Sequence, residues 1–154
     1  MIQPEISVVI PLRNEEENIG ALIDGILAAM APGPAFEILA VDDGSTDRTA
    51  EVIRARRAAE PRLRLIRHPV SGGQSAAVHS GVLAARGAIC VTLDGDGQNP
   101  PAELPKLVGP LLTDATGQIG LVAGQRLRRQ DSLSKRLASR AANALRRALL
   151  RDGT

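Results

Sequence analysis

The chain has 154 residues and a formal net charge of +2, enough for one domain burying roughly two thirds of its unfolded surface and too little for two. Phe36 is the only aromatic residue, so aliphatic side chains must fill the interior, recognition of nucleic acid by base stacking is poorly supported, and no nucleic-acid partner is expected. Cys90 is the only cysteine, which excludes a disulfide within the chain. No run reaches the roughly 20 apolar residues of a membrane span, and a basic-then-apolar leader is absent, so a cytoplasmic domain is expected.

Residues 5–12 (EISVVIPL) are a β-branched apolar run that predicts a buried strand. In the acidic segment 14–30, Ile19, Leu22, Ile23, Ile26 and Leu27 recur at helical spacing. Asn14 is read as the N-cap, with Glu15, Glu16 and Glu17 in the first turn. Residues 36–41 (FEILAV) predict a second strand, DDGSTDRT a loop with Asp47 capping, and 50–59 a helix. A short strand over 63–66, a helix over 74–85 led in by SGGQ, and a strand over 88–93 with Cys90 buried inside follow. After Pro100 and Pro101 a helix is expected to about Leu112, then a strand over 119–123 and a long helix from about Ser132.

In that last segment Leu133, Leu137, Ala141, Leu145 and Leu149 repeat every four residues, with the basic residues on other faces. From Arg126 to Arg151 there are nine Lys or Arg against the single acid Asp131. Residues 131–154 are thus expected to form a basic amphipathic helix suited to an anionic membrane surface, where each basic residue is worth about 1 kcal/mol. Residues 1–130 carry the rest of the domain.

Alternating short apolar strands and helices predict an α/β domain: a Rossmann-like, mostly parallel sheet with helices on both faces. Ligands of such sheets bind beyond the carboxyl ends of the strands. Two acidic turns fall there, DDGS after the second strand and DGDGQNP after the strand over 88–93. In the latter, Asp94 and Asp96 stand one residue apart. At about 4 Å and an effective dielectric near 20 their repulsion would be on the order of 4 kcal/mol, which a hard divalent cation converts to attraction. Gly95 and Gly97 leave backbone room and Gln98 adds an oxygen, a set suited to Mg2+ or Mn2+ with positions left open for a diphosphate.

The competing reading of DGDGQNP is a solvated turn, and that of Asp42 and Asp43 is an Asx turn stabilising DDGS. An EF-hand loop is a poorer match, since its acidic spacing and central glycine are absent. His68 precedes Pro69 at a strand end and His79 lies on a helix with no carboxylate at matching spacing; neither is taken as a base.

In combination, VVIPLRNEEENI (8–19), VDDGSTDRT (41–49), GGQSAAVHSGVLAARG (72–87), VTLDGDGQNPP (91–101) and AGQR (123–126) resemble the family 2 glycosyltransferases, in particular the polyprenyl-phosphate branch with dolichol-phosphate mannose synthases and bacterial polyisoprenyl-phosphate sugar transferases. The resemblance covers residues 5 to about 145. It implies a nucleotide-sugar-binding fold of the A type and an inverting, metal-dependent transfer from a GDP- or UDP-linked sugar to a polyprenyl phosphate. Pro11, Asn14 and Glu15 would then line the nucleotide cleft and Asp43 would contact base or ribose. Asp94, Asp96 and Gln98 would hold the metal, and Arg126 would face phosphate. Lys135 and Ser139, in KRLAS, match the spacing of a basic residue and a hydroxyl that bind the lipid phosphate.

Family members continue beyond the point where this chain ends in RDGT, so the sequence reads as C-terminally truncated or reduced. A nucleotide-sugar-binding fragment without turnover, or a family 2 transferase with another acceptor, is the alternative. The expected site is peripheral, at the inner face of the membrane. Apolar sheet left uncovered would favour association with a second copy.

Overall fold

The computed structural model describes residues 3–124. β1 (Ile6–Leu12) and β2 (Phe36–Asp42) form its centre, and every residue of both is buried, as strands covered on two faces require. β3 (Leu63–Arg67) pairs with β2 and β4 (Ile89–Thr92) with β1, giving one parallel sheet of order β3-β2-β1-β4. Leu12 pairs with Asp42, and Asp42 with Arg67, so these strands release the chain along one edge of the sheet. Thr92 pairs with Val9, which delivers Asp94 to the same edge.

Helices α1 (Ile19–Met30), α2 (Thr49–Arg57) and α4 (Leu104–Thr113), the last entered through a 3-10 turn at Pro101–Glu103, bury Ile23, Ile26, Ile53 and Leu104 against Val8, Ile10 and Ile38. α3 (Gln74–Ala84) covers the opposite face, with Ala77 on Val9, Leu39 and Val41. Each such aliphatic side chain contributes about 1.5–3 kcal/mol by leaving water. A Cβ at Gly81 would overlap the Val9 side chain, so glycine lets α3 approach β1 closely.

The expected α/β class and strand order along the chain hold; four local expectations do not. α1 begins at Ile19, not at Asn14. Asn14 adopts a left-handed φ of 57° and turns its side chain to the Thr46 N–H (2.9 Å), while its own N–H donates to Ser45 Oγ. Asn tolerates that backbone conformation better than other side-chain-bearing residues, and the tie to a distant loop outcompetes the local cap. The three glutamates accordingly precede the helix. Asp47 does serve the start of α2, accepting the Thr49 N–H at 3.0 Å.

Cys90 is exposed. Among the described residues β4 is an edge strand, and only Ile89 and Val91 turn toward α4; burial alternates along it. Its thiol is nevertheless pushed up in pKa by burial of its polar end and by the nearby Glu37 charge. Residues 119–123 do not form a strand. Asp114 closes a turn there by accepting the Ile119 N–H at 2.7 Å, and Leu121 is 84% exposed with no strand beside it among the described residues. The predicted helix from Ser132, and with it Lys135 and Ser139, lies outside the described residues, as does Arg126.

Candidate active site

The carboxyl edges of β1, β2 and β4 surround an open cleft of about 360 Å³. Its walls come from three loops and the start of α3. Pro11 lies at the carboxyl end of β1 and Arg13 and Glu15 follow it, Asp43 follows β2, Ser71, Gly73 and Gln74 precede and open α3, and Asp94 and Asp96 follow β4. Of the residues expected at a nucleotide site, Pro11 and Glu15 line this cleft. Asn14 instead stands behind the wall, locking the β1 loop to the DDGS loop through Thr46 and Ser45. The Glu15 N–H adds a third tie, to Thr49 Oγ1 at 2.8 Å.

Asp42 is structural. Fully buried, it accepts the Ser45 N–H at 2.8 Å to form the DDGS turn, and its other oxygen lies 3.0 Å from Arg67 Nε, an ion pair out of line for a hydrogen bond. Asp43 is the organising carboxylate. Only 3% exposed, it receives His68 Nδ1 (2.7 Å) and the Gly72 N–H (2.9 Å) on Oδ1, and the Ser71 hydroxyl (2.6 Å) and Gly73 N–H (2.8 Å) on Oδ2. Burial pushes its pKa up, but the bonds from Ser71, Gly72, His68 and Gly73 outweigh that and hold it below the ordinary carboxylate range. All four acceptor positions are met within the chain, so Asp43 shapes the cleft wall and does not present a bare carboxylate to a ligand.

His68 is the residue that sequence reasoning passed over. Its backbone N–H is held by the Asp42 carbonyl and its ring bridges Asp43 to Ser80 of α3 through Nε2 at 2.9 Å. No sequence signal pairs it with Asp43, because the adjacency of β3 to β2 comes from the sheet.

At the far side, Asp94 accepts Gln74 Nε2 on Oδ1 (2.8 Å) and Asn99 Nδ2 on Oδ2 (3.0 Å). Asp96 is exposed and accepts the Gln98 backbone N–H at 3.0 Å. Gly95 between them cannot carry a side chain: a Cβ would overlap the Leu12 side chain and stand 2.9 Å from the Pro11 carbonyl oxygen. Neither aspartate pairs with a Lys or Arg among the described residues, and only two carboxylates meet here. Among the described residues, four carboxylates line the cleft against one cation, Arg13. A diphosphate could enter such a field only with a cation, and two carboxylates free of basic partners suit a hard divalent ion that keeps other positions open.

Residues 7–151 match the family model for glycosyl transferase family 2. The chain belongs to that family. Among curated relatives, family 2 similarity extends to the undecaprenyl-phosphate 4-deoxy-4-formamido-L-arabinose transferase of Pectobacterium carotovorum, 41% identical over 143 residues (91% of this chain, 42% of that one). It extends also to the dodecaprenyl-phosphate galacturonate synthase of Rhizobium johnstonii, 37% identical over 146 residues (92% and 42%). The chain thus spans about 42% of the length of these relatives. A mannosyltransferase of Pyrobaculum calidifontis solved with GDP-Man and Mn2+ superposes with a TM-score of 0.64 at 27% identity, covering 75% of this chain and 34% of that one. A glucosyl-3-phosphoglycerate synthase of Mycobacterium tuberculosis, solved with Mn2+, UDP and phosphoglyceric acid, gives 0.57 at 32% (71% and 39%). The fold is the A-type glycosyltransferase fold.

Proposed function

We propose that this chain carries the donor site of a glycosyltransferase that moves a sugar from a nucleoside diphosphate sugar, GDP- or UDP-linked, to a polyprenyl phosphate with inversion. The observation that carries the reading is the pair Asp94 and Asp96, without basic partners among the described residues, across one cleft from the Asp43 loop. The relatives named as undecaprenyl- and dodecaprenyl-phosphate transferases favour the acceptor class. Asp94 and Asp96, with Gln98, would hold Mg2+ or Mn2+, which supplies neutralisation of the diphosphate that leaves as the anomeric bond breaks.

The rest of the chemistry falls to the chain. The cleft positions the diphosphate at the carboxyl edge, and the wall built on Asp43 holds residues 71–73 in place. The acceptor phosphate, with a second pKa of about 6, is largely ionised at neutral pH and attacks the anomeric carbon without a strong general base. By sequence position, Arg126 is assigned to the leaving phosphate and Lys135 with Ser139 to the lipid phosphate, at a membrane-peripheral location. No helix among the described residues is long and apolar enough to cross a membrane.

Transfer of radiolabel from a sugar nucleotide into undecaprenyl phosphate, dependent on Mn2+, is the test. A second outcome of the same test is donor binding without turnover. Metal-dependent nucleotide binding without label transfer at any acceptor concentration would select it.

A further inference from the structure

The inference rests on the donor-site reading and concerns how the metal-holding carboxylate is aimed. We propose that Gln74 is a positioning residue for Asp94, and that residues 71–74 act as a strap coupling the Asp43 wall to the metal site.

The strap joins the ends of two strands that are not neighbours. Asp43 follows β2, Asp94 follows β4, and β1 lies between them. At one end the strap is fixed by three of the four bonds on Asp43, from Ser71, Gly72 and Gly73. Gly73 then turns the chain at φ 88°, a conformation side-chain-bearing residues rarely adopt, and α3 starts at once with Gln74. The position of the Gln74 amide is therefore set by an anchored backbone and the first turn of an 11-residue helix.

The chemistry of the contact fits a role beside a cation. An ionised carboxylate only accepts, so the amide must present Nε2. Gln74 and Asn99 each occupy one position on one oxygen of Asp94, fixing the carboxylate plane, and among the described residues no other donor takes the second lone-pair position of either oxygen. Both donors are neutral. A Lys or Arg in the same place would hold Asp94 equally well and would compete with the metal for its charge. Asp96, by contrast, has one backbone donor and is exposed, so directional control of the pair resides in Asp94.

The test compares Mn2+ affinity, read by the EPR signal of free Mn2+, in the full chain with saturating GDP or UDP, whichever the unaltered protein binds. Gln74→Leu should weaken Mn2+ by about 10–100-fold, the usual effect of losing an outer partner of a metal ligand. Gln74→Lys should weaken it more than Gln74→Leu. Ser71→Ala, a milder change on the strap, should weaken Mn2+ by about 2–5-fold alone and have no further effect in the Gln74→Leu background, as coupled sites require. Nucleotide affinity in EDTA, measured in the same variants, reports on the cleft itself, and in Gln74→Leu it should fall by less than the Mn2+ affinity does.

Mn2+ affinity of Gln74→Leu within twofold of the unaltered chain would overturn the proposal. So would equal losses in Gln74→Leu and Gln74→Lys, or strictly additive losses with Ser71→Ala. A parallel loss of affinity in EDTA would assign Gln74 a merely structural part. Failure of the unaltered, folded chain to bind Mn2+ with either nucleotide would instead overturn the donor-site reading beneath it.

Discussion

Replacement of Asp43 by alanine removes the acceptor for four donors at once: the Ser71 hydroxyl, the Gly72 and Gly73 N–H groups and the His68 ring. Each buried donor left unsatisfied costs about 1–3 kcal/mol. Gly72 and Gly73 are exposed and Ser71 half-buried, so water can reach part of the gap and the low end applies. The expected loss is about 3–5 kcal/mol, a large share of the roughly 5–15 kcal/mol that holds a domain of this size folded. Asp43→Asn keeps one carbonyl oxygen with two acceptor positions and turns an NH2 toward donors, so it should lose somewhat less, about 2–3 kcal/mol. Urea unfolding followed by circular dichroism measures both.

The pH dependence separates this account from simple loss of packing. Hydrogen bonds hold the Asp43 carboxyl below its ordinary range in the folded chain, whereas unfolded Asp titrates near about 3.9. A depressed folded pKa means stability that is complete above about pH 4 and lost as the pH falls below it toward the folded value. Glu37 and Asp47 shift in the same direction, so the acid limb of the unaltered chain has several contributors. Asp43→Asn should flatten that limb without removing it. A stability loss under about 1 kcal/mol for Asp43→Ala, or an acid limb of unchanged slope in Asp43→Asn, would refute the reasoning.

Gly95→Ala should destabilise by about 1–3 kcal/mol, because the new methyl overlaps the Leu12 side chain, and should abolish metal-dependent nucleotide binding by displacing Asp94 and Asp96; thermal melting and calorimetry check the two effects. Cys90 should react fully with an aromatic disulfide reagent in the folded state at pH 8, since it is exposed, but more slowly than a free cysteine because its thiol pKa is raised. Protection until the chain unfolds would contradict its place on an open edge strand.

The sheet was legible because β1 and β2 are apolar at almost every position, a pattern that a two-sided burial imposes and little else does. Asp94 and Asp96 were legible for a similar reason, since two carboxylates one residue apart declare their chemistry locally. Asn14 was misread because its partner, Thr46, lies 32 residues away and a left-handed backbone leaves no mark on the spacing of apolar residues. Cys90 and residues 119–123 were misread because an apolar run does not say whether both its faces, or any neighbouring strand, will be supplied. Gln74 on Asp94 and His68 on Asp43, 20 and 25 residues apart, depend on the order of strands in the sheet, which the linear pattern does not contain.

The central claim, a nucleotide-diphosphate site built on Asp94 and Asp96, is tested most directly by calorimetric titration of the chain with GDP and with UDP, each in Mn2+ and then in EDTA, beside Asp96→Ala. One nucleotide should bind in Mn2+, and its binding should weaken by at least tenfold both in EDTA and in Asp96→Ala. Binding of equal strength in Mn2+ and EDTA, or no binding of either nucleotide by folded protein, would contradict it.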